Sequence, residues 1–314
     1  MKKRGILLLL IPFLLRFSGI HGEEIKPKIK LVSGRWGDKP GEFGIILERP
    51  EEGIMGRIGP NDFFIGEDNK IYIMDNVNKR VQVFDSNGKF IGMDEKLYKE
   101  SLKKGEERTE VFEDGSRITY YTGLLLKERE ERHPNAKKYK IEPIRDPLHK
   151  YPTKFNIIFP DNTKYQIELP KSPIVIARLG EDMNGNVYIF FYLRQKGPTR
   201  IFKFNNKHQL MGSIDIGVSC SYYFRRQGDL RLSPRGDIYV MNSDVDGFWI
   251  DCYPTELFDR PEGRDFTYIY SEKKVEGKER KEKEKQLALR LAKTTSGKMR
   301  DRAIVWLGRN KVKE

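Results

Sequence analysis

Cysteine and histidine are scarce in this chain, with two Cys and four His in 314 residues. His21, His133, His149 and His208 stand apart at no metal-ligand spacing, so a zinc centre built on clustered histidines has no support. The G-x-x-x-x-G-K-[ST] phosphate loop, the G-x-G-x-x-G dinucleotide fingerprint and the G-x-S-x-G nucleophile elbow are all missing, which removes the enzyme classes that depend on them. After residue 22 no apolar run approaches the ~20 residues that a membrane-spanning helix needs.

What is present begins at the N-terminus. Lys2-Lys3-Arg4 precedes an apolar run at 5–15, and Ser18-Gly19-Ile20-His21-Gly22 follows, the pattern of a secretory signal peptide with cleavage after Gly22. An uncleaved anchor is the alternative, disfavoured because the run is only eleven residues long. No Cys stands at the cut, which argues against lipid attachment. The expectation is therefore an exported protein, periplasmic or secreted, with no transmembrane segment once the signal is removed. The net charge of +13 belongs to the ends: residues 1–22 hold four Lys/Arg and no acid, 272–314 hold fifteen Lys/Arg against seven Asp/Glu, and the body 23–271 is left at +1. A near-neutral body and an export signal both count against nucleic acid as partner. Contact of the basic tail with an anionic surface survives both objections.

The richest local signal lies at 66–90, GEDNKIYIMDNVNKRVQVFDSNGKF. Ile71-Tyr72-Ile73-Met74 and Val81-Gln82-Val83-Phe84 are β-branched and aromatic runs bounded by polar turn residues, and Asn87-Gly88 predicts a two-residue type I′ hairpin into a third strand near Lys89. Between the first two strands, Asp75 and Arg80 are placed to clamp the register through a carboxylate–guanidinium contact. Lys70-Ile71-Tyr72-Ile73-Met74, Asn186-Val187-Tyr188-Ile189-Phe190 and Asp237-Ile238-Tyr239-Val240-Met241 repeat one pattern after a polar turn. Further strands are expected at 115–121, 155–159 and 165–169, the last two joined at Pro160-Asp161-Asn162.

Gly59-Pro60, Ile71 to Asp75, Asn78, Arg80 to Asp85 and Gly88 together resemble an NHL repeat, one blade of a β-propeller, and the preceding WGDKPGEFG at 36–44 resembles the stretch that leads into such a blade. The resemblance implies an all-β fold, a β-propeller most often of six blades, whose sheets carry apolar side chains on both faces because each packs between two neighbours. An open antiparallel sandwich of the same strands is the alternative. The expected organisation is a signal peptide at 1–22, a propeller at 23–271 with a charged insertion at about 93–147 that includes a short helix at 94–107, and a basic helical tail at 272–314. In that tail Leu287, Ala288 and Leu291 share one helix side, Thr294 to Gly297 end the helix, and 303–307 reads as a short apolar strand or turn that buries itself on the propeller or on a partner.

Candidate site residues are few. Asn242, Asp244 and Asp246 alternate before Gly247 like the first half of a calcium loop, but Tyr253 stands where the closing Glu belongs, and the alternative is an ordinary polar turn. Trp249, Tyr222, Tyr223 and Phe224, with Arg225 and Arg226, are either a stacking surface for a sugar or peptide or simply core. Cys220 and Cys252 form a disulfide or remain two thiols. The loops at 75–80, 191–199 and 242–247 are expected to line one rim, with Tyr192, Arg194, Asp244 and Asp246 as binding contacts. The reading these features support is a protein- or glycan-binding or scaffolding module at the bacterial envelope, without a cofactor. The alternative is a metal-dependent propeller hydrolase or lyase of the lactonase kind, holding calcium or zinc in the channel.

Overall fold

A computed structural model describes residues 29–47, 59–60, 62–66, 68–104, 106–111, 117–122, 139–144, 151–193, 199–216, 230–258 and 277–310. Its strands are β1 (Ile29–Arg35), β2 (Asp62–Ile65), β3 (Ile71–Asp75), β4 (Arg80–Phe84), β5 (Phe90–Met93), β6 (Glu106–Val111), β7 (Arg117–Thr122), β8 (Lys140–Ile144), β9 (Lys154–Ile158), β10 (Lys164–Glu168), β11 (Pro173–Glu181), β12 (Val187–Leu193), β13 (Thr199–Phe204), β14 (Leu210–Ile216), β15 (Leu230–Leu232), β16 (Ile238–Ser243) and β17 (Gly247–Tyr253). The helices are α1 (Glu95–Lys104), α2 (Gly277–Thr294) and α3 (Gly297–Arg309). All strand pairs are antiparallel. Blade I is β2-β3-β4-β5, blade II β8-β9-β10, blade III β11-β12-β13-β14 and blade IV β15-β16-β17, with β1 added outside β17 as its fourth strand; β6 and β7 form a separate hairpin. The first strands of blades I, IV and III, β2, β15 and β11, adjoin one another, so these sheets fan out from a shared inner edge in a propeller-like array. The β1–β17 pairing fastens the start of the described chain to its last blade.

The blades repeat because one turn chemistry recurs. Asp85 Oδ1 accepts from Asn87 N and Lys89 N at 2.9 Å, Asp182 Oδ1 from Asn184 N and Asn186 N at 2.9 Å, and Asn205 Oδ1 from Lys207 N and Gln209 N at 2.9 Å. In each, the fourth turn residue has positive φ: +78° at Gly88, +74° at Gly185 and +61° at His208. This corrects the expected type I′ turn. Gly88 alone adopts the left-handed region while Asn87 does not, and the ladder slips by one residue between Val83 and Phe84. A carboxylate that satisfies two turn amides makes the longer, bulged turn the better solution here.

Three apolar cores lie between successive sheets. Ile71, Ile73 and Phe63 of blade I meet Met241, Phe248 and Ile250 of blade IV; Ile238, Val240 and Tyr253 of blade IV meet Tyr188, Ile201 and Ile214 of blade III; Val187, Ile189 and Phe204 of blade III meet Phe155, Ile157 and Ile167 of blade II. Four sheets packed in series, I on IV on III on II, are not the two-layer sandwich. Blade II departs from the expectation of apolar faces on both sides. Phe155 and Ile157, like Ile167, are buried, while Lys164, Gln166 and Glu168 are exposed on the alternate face, the pattern of a sheet covered on one side.

A helix stands where the sequence predicts one, as α1, but it ends at Lys104 and residues 106–107 of the expected helix belong to β6; β7 holds 117–121 of the strand expected at 115–121. The tail is a helical hairpin broken at Thr295-Ser296, with Gly297 at φ +56°. The stretch 303–307 is helical, not a strand or turn: Ala303, Trp306 and Leu307 lie on the α3 face that packs with Leu287 and Leu291 of α2 into the seam between blades I and IV. Helical spacing gathers these residues on one side, whereas alternation would have turned half of them to water. Burying a Leu or Trp is worth roughly 1.5–3 kcal/mol each, so the hairpin is an integral part of the seam.

Two glycines test the seam. A Cβ at Gly88 would sit 1.7 Å from the carbonyl oxygen of Leu31 in β1, and φ is +78°; at Gly92 a Cβ meets nothing within 4 Å. In urea denaturation Gly88→Ala is expected to lose about 2 kcal/mol or more, and Gly92→Ala to change stability by less than about 0.5 kcal/mol.

Candidate functional site at the loop rim

The segment 36–44 leaves β1 and is pinned across the β3–β4 turn by side chains of blade I. Arg80 donates to the carbonyls of Asp38 (2.8 Å), Lys39 (2.8 Å) and Glu42 (2.6 Å), Gln82 donates to Glu42 O (2.6 Å) and accepts from Gly41 N (2.8 Å), and Asn78 Nδ2 donates to Gly37 O (2.9 Å). At the centre Asp75, wholly buried, accepts from Gly44 N at 3.1 and 3.2 Å, Asn78 Nδ2 at 2.8 Å and Arg80 Nε at 3.3 Å. Burial pushes the Asp75 carboxyl above its usual range, and the Arg80 guanidinium pulls against that. The expected Asp75–Arg80 clamp is present and larger than the sequence shows, because its other partners are backbone groups. In the same turn, both amide atoms of Asn76 are buried with no hydrogen-bond partner.

Trp36 Nε1 donates to Asp244 O (2.9 Å), which brings the β16–β17 turn to the same rim. The hairpin α2–α3 touches its edge at two points: Lys283 Nζ binds Asp246 Oδ2 at 2.8 Å and Ser296 N donates to Asp38 Oδ2 at 3.2 Å. Arg290 of α2 is held below the usual guanidinium range by burial and by Arg35.

The three calcium candidates point to different partners. Asn242 is buried and donates to Asp251 Oδ2 (3.0 Å), Asp244 Oδ1 accepts from Asp246 N (2.8 Å) and Gly247 N (2.9 Å), and Asp246 turns out to Lys283. Burial raises the Asp244 carboxyl. Among the described residues no group of three or more His, Cys, Asp or Glu is placed to hold a metal. Tyr192 is half-buried near the end of β12, opposite Thr199. Met183 N donates to Pro234 O (2.8 Å), so the first hairpin turns of blades III and IV share one end, and Tyr192 falls at the other, with the β16–β17 turn. Arg194, Cys220, Tyr222, Tyr223, Phe224, Arg225 and Arg226 lie outside the described residues. Trp249 is core, with Lys30 Nζ 4.5 Å over its ring. Cys252 is a buried thiol beside Tyr239, pushed up to about 12 by burial.

Two polar assemblies escape sequence reading. On the inner strands Arg231 of β15 donates to Phe63 O (2.9 Å) and pairs with Asp62 of β2, joining blade IV to blade I. Between blades III and IV, Tyr188 OH binds Asp182 Oδ2 (3.1 Å) and Thr255 Oγ1 (3.0 Å), and buried Lys203 donates to Thr255 Oγ1 (3.0 Å). The repeated tyrosine of the Ile-Tyr-Ile pattern was the only signal for the second. Asp237 joins it by accepting from Thr255 N (3.0 Å).

No protein-family model matches the chain, and no curated protein matches it. Among solved structures it is similar to a streptogramin B lyase (13% identity, TM-score 0.19, 63% of this chain and 66% of that one). It is also similar to a gluconolactonase from Xanthomonas campestris (10%, TM-score 0.22, 74% and 89%) and to a member of the duf4221 family from Bacteroides vulgatus (9%, TM-score 0.21, 71% and 92%). The fold assignment rests on the sheet topology above.

Arg80→Ala strips Asp75 of its charged partner and three carbonyls of their donor; a loss of about 3–5 kcal/mol is expected in chemical denaturation. Burial raises the Asp237 carboxyl. A carboxyl of this kind ionises near pH 4 in the unfolded chain but only at higher pH when folded, so its contribution to stability is full below about pH 4 and is lost as pH rises through the folded value. Asp237→Asn, which keeps the acceptor for Thr255 N, should therefore be the more stable protein at neutral pH, an advantage that thermal midpoints should show vanishing in acid.

Proposed function

We propose that the protein is an exported binding module of the bacterial envelope, taking a protein or glycan partner at the loop rim. The observation that carries this reading is Asn76. A rigid, buried clamp holds the turn, yet both side-chain amide atoms of Asn76 in it are left without a protein partner. Unmade bonds of that kind cost about 1–3 kcal/mol, and in a native structure they call for a use. An amide on a partner, in a peptide bond or an N-acetyl sugar, has the matching donor and acceptor once the half-buried Asn76 side chain rotates out of the turn. Preorganisation by the Asp75 clamp lowers the ordering cost of binding. Tyr192 and Asp246 are the further contacts proposed at this end of the blades, with Arg194 beyond Leu193 and Asp244 shaping the turn.

Asn76→Leu tests the reading. The substitution removes the orphaned amide, so stability should rise by about 1–2 kcal/mol, while retention of peptide-glycan fragments or envelope proteins on the immobilised protein should fall. Unchanged stability together with unchanged retention would contradict it. Elemental analysis runs alongside: one calcium or zinc retained per chain, with lactone or lyase turnover, would replace the binding module by the metal-dependent enzyme.

A further inference from the structure

The C-terminal hairpin has two unlike faces. Its inner face, with Leu287, Leu291, Met299 and Trp306, fills the seam between blades I and IV. Its outer face carries Ile304 and Val305 of α3, 42% and 39% exposed, consecutive in sequence and one turn from exposed Arg300 and Asp301. Residues 277–310 hold eleven Lys/Arg and four Asp/Glu. Of these, Arg280 pairs with Glu284 (3.0 Å) and Lys283 with Asp246 (2.8 Å). Lys281 and Lys293 of α2 are exposed with Arg300.

We propose that this outer face is a contact for the surface of an anionic lipid bilayer. Ile304 and Val305 enter the boundary between headgroups and acyl chains, and the Lys and Arg side chains meet the phosphates. An amphipathic helix with a cationic flank binds in this way, gaining from buried apolar area and from attraction to anionic headgroups together. A soluble polyanion would engage the charges and leave Ile304 and Val305 in water, so the adjacent apolar pair favours lipid over nucleic acid or an acidic polymer. Since the inner face is already committed to the seam, the hairpin need not unfold or undock to bind. The contact is independent of the partner taken at the rim.

The experiment is co-sedimentation of the full protein with vesicles of phosphatidylcholine alone and of an equal mixture of phosphatidylcholine and phosphatidylglycerol. Binding to the mixed vesicles only, weakened by salt, is expected. The double variant Ile304→Asp/Val305→Asp should lower partitioning at least about tenfold, with a cooperative thermal transition retained because neither side chain belongs to the buried face. Any contribution from the apolar run at 5–15 is common to both proteins and cancels. Lys281→Glu/Lys293→Glu/Arg300→Glu should abolish the preference for the anionic vesicles. Equal binding to pure phosphatidylcholine would overturn the proposal, as would full binding by the Asp double variant. Retention by a soluble polyanion that depends on the three cations but not on Ile304 and Val305, with no vesicle binding, would assign the face to a polymer instead. Asn76→Leu should leave vesicle binding untouched, which separates this site from the rim.

Discussion

A carboxylate cut off from water must be given donors, and in this protein the demand is made by Asp75. Its oxygens face Gly44 N, Asn78 and Arg80, and Arg80 in turn holds three carbonyls of the 36–44 segment. Those carbonyls belong to chain that has just left β1, the strand that completes blade IV. One buried charge in blade I thereby fixes where the closing strand of blade IV ends. Trp36 and Phe43, carried by the same segment, then become core between the two blades, and α2 and α3 cover it from outside. Removing a partner from such a network leaves an uncompensated buried charge, which is far more damaging than never having built it.

The rest of the array follows from local chemistry repeated. An Asp or Asn that satisfies two amides of its own turn, and a residue able to adopt positive φ three positions later, give the same bulged hairpin at 85–89, 182–186 and 205–209. Within the sheets, Tyr72 lies opposite Val83, Tyr188 opposite Lys203 and Tyr239 opposite Cys252. Each blade then differs in what covers that row. In blade III it is Thr255 and Phe258, which bury Tyr188 completely.

Individual strands and hairpins were legible because alternation and turn residues are local signals: the 66–90 unit, the β9–β10 hairpin and the Asp75–Arg80 contact all lie within a few residues of their cause. Asn87-Gly88 misled because the dipeptide fits two turns, and only the Asp85 carboxylate decides between them. The short run 303–307 misled because five apolar-rich residues carry no period until the neighbouring helix supplies a face. Nothing local announces Arg231 with Asp62, or Lys203 with Thr255, since each pair joins residues from different blades or strands. Asp244 and Asp246 were rightly found in one turn, but their directions are set by backbone amides and by Lys283, a residue far along the chain. At the rim the orphaned amide of Asn76 depends on which partners are absent, and no spacing in the sequence encodes that.

The clamp makes the seam between blades I and IV one cooperative unit, and hydrogen–deuterium exchange of the Asp75→Asn protein tests that claim most directly. Asn keeps the size and one acceptor but removes the charge. Faster exchange is expected at Gly37, Phe43 and Gly44 and, together with them, in the β1–β17 ladder and in α2, while blade II keeps its protection. Faster exchange confined to the 75–80 turn, with β1 and α2 as protected as before, would contradict it.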